Sequence, residues 1–98
     1  MSVPALRWRT VPPEALTWRD WNGDFVVRNH SSGSTHLLGP LAGRVLLALM
    51  AMHRAATVDD LAAGLEAPAT IEEPDWLVSI EAVLSEFERL GLALPEVR

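Results

Sequence analysis

The chain has 98 residues, 49% of them hydrophobic, which bounds it to one domain built on one core. It contains no Cys, which excludes disulfides, thiolate metal ligands and a thiol nucleophile. Its formal net charge is −5, all 8 basic residues are Arg, and acids dominate from residue 55 onward. That balance repels a phosphate backbone and argues against nucleic acid as the partner.

The N-terminal stretch MSVPALRWRT lacks a long apolar region, and no run approaches about 18 uninterrupted apolar residues. Neither a signal peptide nor a membrane span is expected, and the default location is the cytoplasm. Residues 6–10, LRWRT, alternate and predict a short strand that Pro12-Pro13 stops.

Residues 16–21 and 24–29 flank Asn22-Gly23, both of which tolerate the positive φ of a type I′ turn. A two-residue loop sets Trp18 opposite Val27 and Arg19 opposite Val26. Leu16, Trp18, Phe25 and Val27 then share the core face, and Arg19, Trp21, Val26 and Arg28 the other. The following HSSGS predicts a three-residue loop of Ser31, Ser32 and Gly33 with a glycine bulge. That register sets Val27 opposite Leu37 and Arg28 opposite His36, with Leu37 on the core face of a third strand, residues 34–38.

Gly39-Pro40 opens a first helix, since proline's missing N–H costs nothing in the first turn. Its run LAGRVLLALMAM is apolar almost all round, which marks the central, most buried helix. Thr57 caps a second helix with Asp60 three residues on, and Gly64 and Pro68 limit it. A third helix follows TIEEPD and runs to about Leu90. Trp76, Leu77, Ile80, Val83, Leu84, Phe87 and Leu90 form its apolar stripe. Gly91 ends it, and LALP closes as a short strand or an extended tail. The fold class is α+β and winged-helix-like: a three-stranded antiparallel sheet followed by three helices, in one domain over residues 1–98.

The candidate chemistry is thin. His30, Ser31 and Ser32 lie in a turn, where Ser and Gly have ordinary conformational roles. His36 reads as an exposed strand residue rather than a general base, and His53 suits the negative end of a helix. No HExxH, EF-hand or phosphate-loop pattern is present. We therefore expect no enzyme, no metal and no cofactor. A winged-helix DNA binder remains an alternative from the element order, but Asp59, Asp60, Glu66, Glu81, Glu86 and Glu88 occupy the helices that would face a groove. The remaining possibility is an unpaired edge strand that an extended peptide joins, with a helix beside it supplying pockets.

Residues 14–94 resemble the PqqD-like family, through DFVVRN, the turn HSSG, THLLGPLAGRVLLAL, TVDDLAAGL and VLSEFERLGLAL. The stretch WRDWNGDFVVRNHSSGSTHLLGPLA is similar to the HPr-rel-A system subgroup, associated with a kinase related to HPr kinase. The resemblance implies a peptide chaperone or precursor-recognition element, in which a leader peptide adds as a strand to the third strand and lies against the last helix. It implies Ser34, Thr35, His36, Leu37 and Leu38 as the strand side of the site, and Trp76, Ile80, Val83 and Phe87 as the helix side. The implied partners are a precursor or leader peptide and a modifying or HPr-kinase-related enzyme, with no nucleic acid and no membrane. Two departures stand out: Gly39 occupies a position where family members often carry an acid, and the LRWRT strand is additional and would be placed to cover a sheet edge. The same edge also suits a general interaction domain or a homodimer.

Overall fold

Four strands, then three helices, then a fifth strand follow one another in a computed structural model that describes residues 6–96. The elements are β1 (Arg7–Thr10), a 3-10 turn (Pro13–Ala15), β2 (Leu16–Trp21), β3 (Asp24–Asn29), β4 (Ser34–Leu38), α1 (Pro40–Met52), α2 (Val58–Gly64), α3 (Glu73–Leu90) and β5 (Ala93–Glu96). Residues 1–5 and 97–98 of the expected domain lie outside the described residues.

β2, β3 and β4 form an antiparallel sheet in that order. Asn22 and Gly23 take the positive φ angles of 54° and 89° that their turn demands, and Asp20 Oδ1 accepts the Gly23 N–H at 3.1 Å. The β2–β3 register is the expected one, with Trp18 opposite Val27 and Arg19 opposite Val26. Phe25 and Val27 are buried, but Trp18 is 42% exposed. It lies on the expected face and rests its ring against Phe25, with centroids 5.6 Å apart. The exposure arises because α1 packs on β3 and β4, leaving β2 overhanging the core.

The β3–β4 register corrects the expectation. Val27 pairs with His36, Arg28 with Thr35 and Asn29 with Ser34. The loop therefore spans His30 to Gly33, one residue longer than expected. Asn29 is the cause. Its Oδ1 accepts the N–H groups of Ser31 at 2.9 Å and Ser32 at 3.4 Å, while its backbone carbonyl accepts from Gly33 at 2.8 Å. Its Nδ2 donates to the Gly91 carbonyl at 3.3 Å, so a buried polar side chain fixes the turn and ties it to the end of α3. One residue of slip turns each β4 side chain over. Leu37 is accordingly on the outer face, 71% exposed, and Leu38 enters the core.

Helix α1 crosses β3 with Gly43 against the Phe25 ring, so close that a Cβ there would fall within the ring. Helix α2 begins in the reciprocal box expected from its sequence: Thr57 Oγ1 accepts the Asp60 N–H at 3.1 Å, and Asp60 Oδ2 accepts the Thr57 N–H at 3.0 Å. Helix α3 starts earlier than the sequence indicated, at Glu73, because Pro74 fits its first turn. It ends at Gly91, whose φ of 78° lets Leu92 N–H reach back to the Phe87 carbonyl at 2.8 Å.

The LRWRT and LALP segments pair with each other. β1 and β5 form a separate two-stranded antiparallel sheet, and Trp8 also exchanges two backbone hydrogen bonds with Ala56 at 2.7 and 2.8 Å. β1 is thus bound to the helical half of the molecule, with Trp8 in the core, and does not cover β4. Leu46, Leu49, Leu61, Ile80, Leu84, Phe87 and Leu92 are the most deeply buried large side chains.

Candidate functional site

A strand at the end of a sheet carries unpaired N–H and C=O groups along one side, and water or a partner must satisfy them. β4 is such a strand, and among the described residues its second side is unpaired. Its five residues offer about 17 Å of backbone at ~3.4 Å per residue. β2 is the other edge of the same sheet, but the two differ in surroundings. Only Leu16 of β2 is buried, and the strand overhangs the core. β4 runs directly into α1, contacts it, and begins where Asn29 is bonded to the residue that ends α3. A strand added to β4 would meet helices with one face and solvent with the other. One added to β2 would meet little but solvent.

Alternation along β4 divides its side chains. Ser34, His36 and Leu38 face the helices, while Thr35 and Leu37 face outward beside Arg28 and Val26. His36, expected as an exposed residue, is half-buried, and its Nε2 is enclosed without a hydrogen-bond partner.

Among the expected α3 residues, Ile80 and Phe87 have no exposed surface and Trp76 is 5% exposed. These three side chains are spent on the core of the free protein. Their stripe holds α3 in place rather than presenting a surface. Val83 is half-buried and packs at the margin of the core, as does Leu90, the residue before Gly91 of the Asn29–Gly91 link. Of the apolar stripe, Val83 and Leu90 therefore keep part of their surface accessible, and Val78, outside the stripe, is 67% exposed.

The histidines and serines serve the scaffold. His30 Nε2 is hydrogen-bonded to Thr17 Oγ1 across the β2–β3 pair, and Ser32 Oγ accepts the Ser34 N–H at 3.3 Å. His53 adopts the left-handed conformation, φ 56°, at the end of α1, with its N–H directed to the Met50 carbonyl. Among the described residues no three His, Asp or Glu side chains gather as metal ligands, and no helix is long and apolar enough to cross a membrane.

Charge around the edge is uneven. Arg28 Nη1 reaches across to Thr35 Oγ1 at 3.5 Å. On α3, Arg89 donates to the Glu86 carboxylate, a hydrogen bond that lowers the carboxyl from its ordinary range and raises the guanidinium. Sequence reasoning missed the outward position of Leu37, and with it an apolar row shared with Val26. The signal was present in Asn29 followed by His30 and two serines, the pattern of a side-chain-capped turn.

No family model and no curated protein matches the chain. Among solved structures, a lasso peptide synthetase B1 complexed with the leader peptide superimposes with a TM-score of 0.68 at 23% identity, over 90% of this chain and 98% of that one. TbiB1 in complex with the TbiA(beta) leader peptide superimposes with a TM-score of 0.71 at 12% identity, over 92% and 99%. The chain shares the whole fold of these two proteins, with little beyond the termini left over.

Proposed function

We propose that the chain is a non-catalytic, PqqD-like recognition module that captures a leader peptide by strand addition to β4 and presents it to a modifying enzyme. The observation that carries this reading is the unpaired edge of β4 beside helices, in a fold shared with two proteins solved with leader peptides. Main-chain groups of Ser34, Thr35, His36, Leu37 and Leu38 supply the affinity. The inward side chains of the peptide contact His36 and the accessible margin of α3 at Val83 and Leu90. Trp76, Ile80 and Phe87 act from behind by fixing α3. The stretch WRDWNGDFVVRNHSSGSTHLLGPLA supports the HPr-rel-A subgroup within that family, and hence a cytoplasmic module serving an HPr-kinase-related enzyme.

The experiment uses ten-residue peptides selected from a displayed random library on the full chain. Methylating alternate backbone nitrogens of a selected peptide removes ladder donors without touching the protein. One alternate set is expected to abolish binding and the other to be tolerated, because successive N–H groups of a strand point to opposite sides. Thr35→Pro provides the matching change on the protein, with circular dichroism to verify its fold. Indifference to both methylation sets contradicts strand addition. Self-association through the same edge is the competing occupant, and it would appear as a concentration-dependent sedimentation coefficient that added peptide reverses.

A further inference from the structure

The outer face of the sheet bears on which peptide is chosen, an inference that rests on the strand-addition reading. Two cross-strand rows reach the free edge on this face. One runs Arg19, Val26, Leu37, and the other Thr17, Arg28, Thr35. In the first row Leu37 is 71% exposed at the edge, and Trp21, 63% exposed, flanks Val26 diagonally. Thr17, Trp18, Arg19, Trp21, Val26 and Arg28, all of β2 and β3, line a shallow depression of about 260 Å³. In the second row the Arg28 guanidinium already lies over β4, donating to Thr35 Oγ1, and among the described residues no carboxylate pairs with it. An added strand would run about 4.8 Å from β4, with its outward side chains directly beside Leu37 and Thr35.

We infer that the bound peptide is selected by its outward face, with an apolar residue beside Leu37 and an acidic residue two positions away beside Thr35, read by Arg28. The spacing of two follows from the strand period and holds for either direction of the added strand. The apolar residue extends the Leu37–Val26 row and removes exposed Leu37 from water. The carboxylate takes the hydrogen-bonding capacity that Arg28 now spends on a single long bond to a hydroxyl. Arg19 stands two strands from the edge and contributes only the sign of the local field.

The test is a synthetic array of ten-residue peptides with one fixed Leu and Glu, Gln or Lys two positions to either side, probed with the full chain. Glu peptides are expected to bind about twofold to fivefold more tightly than Lys peptides, within the range for exposed charge pairs on a sheet. Arg28→Glu should reverse that order, and Leu37→Thr should erase the preference for the fixed Leu. Both positions are exposed strand residues, so the variants are expected to fold. Equal binding of Glu and Lys peptides, with alternate N-methylation still abolishing it, overturns this inference and leaves strand addition standing. Insensitivity to N-methylation overturns both.

Discussion

Gly43 shows how one side chain can set the spacing of two layers. The Phe25 ring occupies the space its Cβ would need, so α1 approaches β3 only because that position has none. Gly43→Ala is expected to lower stability by about 1–3 kcal/mol, the cost of overpacking a tight core, and urea unfolding measures it. Asp60 gives a second prediction. The Thr57 backbone N–H is the chief cause that lowers its carboxyl below the ordinary value of 3.8, with smaller help from the Thr57 hydroxyl and Arg54. Because the folded value is the lower one, the linked stability is present above the unfolded value and is lost as pH falls through the folded one. Acid titration should therefore show a shallower stability loss below about pH 4 in Asp60→Asn than in the parent chain. An identical slope would mean that the cap contributes nothing to the pH dependence.

At the scale of elements, local chemistry made some pieces legible and hid others. Asn22-Gly23 declared its turn, and the Thr57–Asp60 box declared the start of α2, because both depend on neighbours in sequence. The register of β4 depends on Asn29 bonding forward into its loop and sideways to Gly91, and the second partner lies 62 residues away. Hydrophobic alternation favoured Leu37 inside, yet Leu38 serves the core equally well from the slipped register. Asn29→Ala removes the acceptor of the Ser31 and Ser32 N–H groups and the donor to the Gly91 carbonyl. It should cost about 1–3 kcal/mol in unfolding experiments and shift the amide resonances of residues 34–38. The apolar stripe of α3 was equally visible, but its period is the same whether a residue faces core or groove. Only packing against α1, α2 and β5 decides that Ile80 and Phe87 lie inside and Val83 at the margin.

For the whole molecule, the arrangement leaves the β4 edge of the three-stranded sheet unpaired among the described residues and ties the additional N-terminal strand elsewhere. The acidic surfaces of α2 and α3, within a net charge of −5, oppose a nucleic-acid role for a winged-helix-like shape. What the sequence could not convey was the destination of LRWRT, since its pairing with residues 93–96 is set by closure of the whole chain. The central claim is that β4 accepts an extended peptide as a further strand. Amide hydrogen exchange of the full chain, with and without a library-selected peptide, addresses it most directly. Alternate amides within residues 34–38 should gain protection while those of β2 remain unchanged. Protection arising on β2 or on the helices, with β4 unaffected, would contradict the account.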